Sequence, residues 1–286
     1  MGQYYLFKTL EMTLGFLPKR LCYFLASVMG AVAFRVVPSL RRTVTKNISQ
    51  VLGPQASNSK LNKTVRGVLS STFKNYLDLV RIPRLSRKKI IKMVDVTGRH
   101  HLDKAVAKGK GVIMFTAHLG SFDTAFQRFS TFPTQVTVVV EPISPPILLD
   151  YVTGMREMHG VNIVPAVSGS LKQIIKILRK GETLLFALDR DTMNAGMNSP
   201  FFGRDANMPA EAVKIAMRTG AALVPVFNNR RSDGGYNIYV EPEIDVEYTG
   251  PDAMAHNVRA ISKVMEKYIG RFPDQWVVLE SIWNGA

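Results

Sequence analysis

GVIMFTAHLGSFD, running from Gly111 to Asp123, is the stretch that sets the fold class. Val112 to Thr116 is an apolar, partly β-branched run; it leads to His118, a Leu-Gly-Ser turn, and an aspartate at the start of the next apolar segment. That order reads as strand, tight loop and helix. Gly120 permits a sharp turn that a side-chain-bearing residue resists. Such a junction sets His118 at the carboxyl edge of a sheet, where Asp123 can fold back to one ring nitrogen and fix the tautomer while the other nitrogen acts as a base. The same residues also fit a core histidine that is merely hydrogen-bonded beside a capping aspartate, and this stretch alone leaves both readings open.

Towards the carboxyl end the pattern alternates. Strands are predicted over 111–117, 135–140, 161–164, 183–188 and 222–228, separated by helices over 147–159, 170–180 and 209–219. A helix is expected to run from the turn after His118 through Phe129, an antiparallel strand over 236–240 and a closing helix over 254–272. Almost wholly apolar strands alternating with helices imply an α/β fold with a mostly parallel central sheet flanked by helices. In such sheets reactive groups collect beyond the carboxyl ends of the strands. His118, Glu141 and the trio Asp189-Arg190-Asp191 all fall there. A charged trio next to a core strand is costly unless paired or used; for each member singly, a solvated loop with a local ion pair is the competing reading.

The amino-terminal third has a different character. Residues 1–99 hold 18 Lys and Arg against Glu11, Asp78 and Asp95, whereas residues 100–286 hold 19 of each sign. The net charge of +15 therefore lies in the first third and calls for a polyanion, either nucleic acid or an anionic membrane face. The apolar run Leu21–Val37, bracketed by Lys19-Arg20 and Arg41-Arg42, favours the membrane, and no zinc-finger or RNA-binding aromatic signature supports nucleic acid. An uncleaved membrane anchor is the preferred reading of that run, ahead of a buried or interfacial hairpin helix and of a signal peptide. Residues 1–55 are thus expected to be basic, membrane-anchoring helices, and residues 56–286 an α/β domain that begins with a long amphipathic helix over 60–80. The single cysteine, Cys22, excludes a disulfide framework or a cysteine metal site.

His118 and Asp123 keep the spacing of the H-x4-D motif, and the chain resembles the glycerolipid acyltransferase superfamily there. HLGSFD is closest to the HLGNWE-type segment of the branch holding lipid A and mycobacterial phosphatidylinositol mannoside acyltransferases. Glu141 and Arg156 keep that branch's fifteen-residue spacing. FALDRDTMNAGMNSPFFGRDANMPAEAVKIAMRTGAALVPV resembles its D-R-D, F-F-G, M-P and T-G-A-x-L-x-P-V series, and Arg41, Val44 and Asn47 match its R-x-x-V-x-x-N pattern. Departures are informative. Leu188-Asp189-Arg190-Asp191 stands where glycerol-phosphate enzymes carry a P-E-G-T-R block, the ending QWVVLESIWNGA lacks an H-R-R terminus, and Asn198 and Ser199 are unusual before Phe201-Phe202.

The resemblance implies transfer of a fatty acyl chain from acyl-CoA or acyl carrier protein to a hydroxyl of a membrane glycolipid, on the cytoplasmic face of an inner membrane. A lysophospholipid or glycerol-phosphate acyltransferase is the alternative. It implies His118 as general base with Asp123 as its partner, and substrate contacts from Glu141, Arg156, Asp189, Arg190 and Asp191, with phosphate held by Arg156 and Arg190. Backbone N–H groups in the turn after His118 are expected to hold the thioester oxygen. No metal and no cofactor are expected. Ser121 is expected to be structural and His100, His101 and His159 ordinary surface or satisfied histidines. Met193, Met197, Phe201 and Phe202 are candidates for an acyl channel, with ordinary core the simpler reading of each.

Overall fold

The computed structural model describes residues 2–167, 169–192 and 195–283. Helices α1 (Gly2–Leu14), α2 (Lys19–Val36), α3 (Pro38–Leu52), α4 (Asn58–Leu79) and α5 (Arg87–Met93) precede strand β1 (Val94–Thr97). There follow α6 (Arg99–Ala107), β2 (Val112–Thr116), α7 (Phe122–Ala125), β3 (Val136–Val140), α8 (Pro146–Glu157), β4 (Asn162–Pro165), α9 (Ser170–Arg179) and β5 (Thr183–Ala187). A small hairpin of β6 (Met197–Phe201) and β7 (Arg204–Met208) leads to α10 (Glu211–Thr219), β8 (Ala222–Arg230), β9 (Tyr236–Val240) and α11 (Ala253–Arg271).

Seven strands form one sheet in the order β1-β9-β8-β2-β5-β3-β4. Every neighbouring pair is parallel except β8 and β9. The α/β architecture with a mostly parallel sheet is therefore as the sequence implied, and β9 is the antiparallel neighbour of β8 as expected. All five residues of β2 are buried, because helices cover both faces of the sheet. On one side Ile113 and Phe115 pack with Val213 of α10, Met265 of α11, Val65 of α4 and Ile48 of α3. On the other, Val112 and Met114 pack with Ile90, Leu102 and Phe126. The helix expected through Phe129 is shorter: α7 gives way to a 3-10 run, Phe126–Thr131. Strand β1 and the β6–β7 hairpin were not foreseen.

The amino-terminal expectation needs correction. Among the described residues, no single helix is long and apolar enough to cross a membrane; only α2 and α3 together reach that length and composition, and they are bent by 101°. Gly30 explains why α2 lies on the protein rather than standing free. A Cβ there would come within 2.6 Å of the Ser70 backbone nitrogen, so the missing side chain lets α2 and α4 touch. Cys22, Ala26, Gly30, Ala33 and Phe34 are buried on that side. The opposite side leaves Leu21, Phe24, Val28, Val32 and Val36 exposed. Both faces are apolar, which is why the sequence alone read as a spanning run.

Candidate active site

His118 lies two residues past the end of β2, on a turn that is fixed from several directions. The N–H of Leu119 bonds the Ala117 carbonyl at 2.6 Å, and the N–H of Gly120 bonds Gln275 at 3.0 Å. Val277 donates its N–H to the His118 carbonyl at 2.8 Å, and the Asn228 amide donates to that of Leu119 at 2.8 Å. Gly120 has φ +66°, and a Cβ there would meet Asn228 Oδ1 at 2.4 Å, so only glycine fits. Of the turn's N–H groups, those of Leu119 and Gly120 are thus already bonded within the protein, which leaves the later part of the turn for the thioester oxygen. The first-turn N–H groups of α7 have no intrahelical acceptor, and Phe122 and Asp123 of that turn line the cavity beside His118.

The carboxylate that holds the imidazole belongs to Asp189. His118 Nδ1 lies 2.8 Å from Asp189 Oδ1, and the His118 backbone N–H donates to Oδ2 at 2.9 Å. The indole N–H of Trp276 donates to the same Oδ2 at 2.8 Å. Strands β2 and β5 are direct neighbours with Thr116 opposite Ala187, so His118 and Asp189 leave the sheet side by side. Asp189 is fully buried. Burial alone would push its carboxyl up, but the His118 charge and the bonds from His118 and Trp276 outweigh burial and hold it below the ordinary carboxylate range.

The expected pairing of Asp123 with His118 is corrected accordingly. Asp123 sits one turn further on, in α7, and its Oδ1 accepts from Arg156 Nε at 2.7 Å. Gln127 fastens this pair by donating to the backbone carbonyls of both residues. Glu141 and Arg190 form a second pair at 3.0 Å, and Arg190 also reaches Glu280 at 3.2 Å, bridging the carboxyl end of β3 to the carboxyl-terminal segment. Asp191 is occupied differently. It accepts the N–H groups of Ala195 and Gly196 and the Asn207 amide, which ties the loop after β5 to the β6–β7 hairpin.

His118, Asp123, Glu141, Arg156, Arg190 and Asp191 line one cavity of about 520 Å³. Its inner wall is apolar, made by Phe126, Val138, Val140, Ile143, Val161, Ile163 and Leu185 from β3, β4, β5 and the segments beside them. The seven site residues therefore gather in one place, with Asp189 behind the imidazole rather than in the cavity. Met197 and Phe202 pack against the core and Phe201 is buried within it; none of the three lines the cavity. Met193 and the last three residues of the carboxyl-terminal segment lie outside the described residues. The His100 and His101 rings lie 4.0 Å apart and tilted by 43°, and His159 Nε2 sits 3.3 Å from the Ile82 carbonyl.

Below the turn lies a buried polar group that sequence reasoning missed. Asp78 of α4 accepts from Ser121 Oγ at 2.8 Å, from Arg230 Nη2 of β8 at 2.8 Å and from the Tyr23 hydroxyl of α2 at 2.8 Å. Ser121 is thus structural, as expected. Burial would raise the Asp78 carboxyl, yet Arg230 and Lys19 hold it low. Lys19 bonds the Tyr236 hydroxyl at 2.7 Å, and burial brings its amine down to about 8. Asp78 and Arg230 lie 152 residues apart, so only the folded topology joins them.

A histidine held by a buried acid at the mouth of an apolar cavity, on the carboxyl edge of a mostly parallel sheet, is an arrangement that can serve base-assisted group transfer or hydrolysis. The family described as bacterial lipid A biosynthesis acyltransferase matches residues 1–284, and the chain belongs to that family. It is 29% identical over 252 residues to a phosphatidylinositol mannoside acyltransferase of Mycobacterium tuberculosis, covering 83% of this chain and 75% of the relative. Against the protein of the same description from Mycolicibacterium smegmatis it is 26% identical over 245 residues, covering 83% and 78%. It is also 24% identical over 264 residues to a lipid A biosynthesis palmitoleoyltransferase of Escherichia coli, covering 91% and 84%.

Proposed function

We propose that this protein transfers a fatty acyl chain from a thioester, acyl-CoA or acyl carrier protein, directly to a sugar hydroxyl of a membrane glycolipid, with His118 as general base. The observation that carries this reading is the fixed imidazole: Asp189 Oδ1, 2.8 Å from Nδ1, accepts its N–H, which leaves Nε2 as the basic nitrogen, and the ring borders the cavity. Nε2 accepts the hydroxyl proton as the oxygen bonds to the thioester carbon. The tetrahedral intermediate then collapses with cleavage of the carbon–sulfur bond, and the departing thiolate takes the proton back from Nε2. General-base help of this kind contributes about 100- to 10,000-fold. Asp189, held below the ordinary carboxylate range, stays ionised and stabilises the imidazolium.

The apolar inner wall suits an acyl chain, and the polar rim suits the acceptor headgroup. Arg156 and Arg190 offer guanidinium donors to phosphate, each already balanced by a carboxylate partner, so a phosphate must share or displace Asp123 or Glu141. The exposed apolar ridge of α2, with Met12 and Phe16 before it, supports contact with the cytoplasmic leaflet of the inner membrane, the helix lying in the interface. Mass spectrometry of lipids from a deletion strain tests the reading. One glycolipid is expected to lose a single acyl chain that wild type restores and His118→Ala does not. Unchanged glycolipids with accumulating lysophospholipids would overturn it in favour of a lysophospholipid acceptor.

A further inference from the structure

At the bend between α2 and α3, away from the reaction cavity, an open depression is lined by Phe34, Arg41, Arg42, Lys46 and Arg66. Thr45 and Asn62 add a hydroxyl and an amide, and no acidic residue lines it. Arg41 lies over the Phe34 ring at 5.5 Å and Arg66 over the same ring at 4.7 Å. Two guanidinium groups are thereby gathered on one buried aromatic ring, which orders them without neutralising either. Among the described residues none of these four cations makes an ion pair, whereas Arg156, Arg190, Arg230 and Arg231 each do. Like charges held together with nothing between them form an arrangement that an anion completes, and guanidinium N–H donors match phosphate oxygens in pairs.

We propose that Arg41, Arg42, Lys46 and Arg66 around Phe34 form a binding site for the phosphate of an anionic phospholipid headgroup, separate from the acyl-transfer cavity. What identifies a bilayer lipid is the neighbouring surface. Val36 and Val37, at the junction of α2 and α3, are exposed, and Val37 lies one turn from Arg41, whose backbone N–H donates to its carbonyl. An acidic protein surface would satisfy the cations and leave that ridge in water. A leaflet covers both, with apolar side chains below the phosphate plane and the four cations at it. The site fixes how the protein sits on the membrane; it rests on the proposed membrane contact but not on the acyl-transfer chemistry.

The test is co-sedimentation of the full chain with phosphatidylglycerol–phosphatidylcholine vesicles and with phosphatidylcholine alone. Each cation removed near an anionic surface weakens binding about fivefold, so Arg41→Gln with Arg66→Gln is expected to lower partitioning onto the anionic vesicles about 30-fold. Lys172→Gln with Lys176→Gln, which removes the same charge from exposed positions on α9, is expected to lower it far less. Both arginines are exposed, so the fold is expected to survive, as thermal melting checks; Arg42→Gln with Lys46→Gln is the second variant. Equal losses in the α2–α3 and α9 variants would overturn the site in favour of net charge alone. So would stabilisation by inorganic phosphate without any change in vesicle binding, or vesicle binding that survives while binding of an acyl carrier protein is lost. Failure of wild type to bind any vesicle would remove the membrane contact itself, a result distinct from the others.

Discussion

Asp189→Asn tests the assignment of the imidazole's partner. Asp189 Oδ2 accepts two N–H bonds, from the His118 backbone at 2.9 Å and from Trp276 at 2.8 Å. An asparagine has one oxygen, and it must take that position, because an NH2 group there would face two donors. Its nitrogen then occupies the Oδ1 position, 2.8 Å from Nδ1 of His118. A donor at that point forces Nδ1 to accept, moves the ring proton to Nε2 and removes the base. The imidazolium also loses its counter-charge. Together these effects are expected to lower kcat by about 1,000- to 10,000-fold with KM little changed. The assay is thiol release from an acyl thioester in the presence of acceptor lipid, with the ring tautomer read from the nitrogen-15 shifts of His118. Asp123→Asn should act differently, raising KM by no more than about 100-fold through Arg156, since it removes one charge-assisted bond. A kcat for Asp189→Asn within tenfold of wild type would refute the reasoning.

Other outcomes follow from the same geometry. Trp276→Phe keeps an aromatic ring but deletes the N–H to Asp189 and part of a fully buried indole, and is expected to lower kcat about tenfold, the equivalent of ~1.4 kcal/mol, with a lowered melting temperature from the cavity it leaves. Gly120→Ala places a Cβ 2.4 Å from Asn228 Oδ1 at a positive φ; loss of ~1–3 kcal/mol in urea unfolding and loss of turnover are expected, and a wild-type profile would contradict the tight turn. Asp78→Asn leaves Arg230 buried without its counter-charge and is expected to cost ~3–5 kcal/mol of stability, measured by the same unfolding titration. Asp78 and Asp189 both titrate lower in the folded chain than in the unfolded one, where an aspartate titrates near ~3.9. Their contribution is therefore complete above that value and lost as pH falls through the lower folded values, so the urea midpoint should drop on acidification below about pH 4. A midpoint that holds or rises there would contradict both shifts.

What the sequence revealed and what it hid divides along physical lines. β2, β3 and β5 are nearly continuous apolar runs, β2 buried throughout and β3 and β5 half-buried towards the carboxyl ends that line the cavity, and residues just past their ends are exposed to chemistry wherever the strands lie in the sheet. His118, Glu141 and the 189–191 trio were legible for that reason. Which acid serves His118 was not, because β2 and β5 are neighbours only through the strand order, and a local acid five residues away was the nearest alternative in the chain. The buried Asp78–Arg230 pair was hidden in the same way. β1 was missed because VDVT is short and carries a charge, and the β6–β7 hairpin because Pro200 and the polar residues around it carry little apolar alternation. Composition does not distinguish a helix inside a bilayer from one with an apolar face on α4 and another exposed, so the α2 run reads as spanning from its sequence alone.

Direct acyl transfer driven by His118 is the central claim for the reaction, and a single-turnover reaction of the purified full chain tests it most closely. Acyl thioester and acceptor glycolipid are mixed with wild type or His118→Ala, and ester product and intact-protein mass are followed by mass spectrometry. Thiol release matched by ester formation in wild type, no acyl adduct on the protein, and a rate reduced at least about 100-fold in His118→Ala are expected. An acyl-protein adduct that forms and decays at the turnover rate, or a His118→Ala rate equal to wild type, would contradict the account.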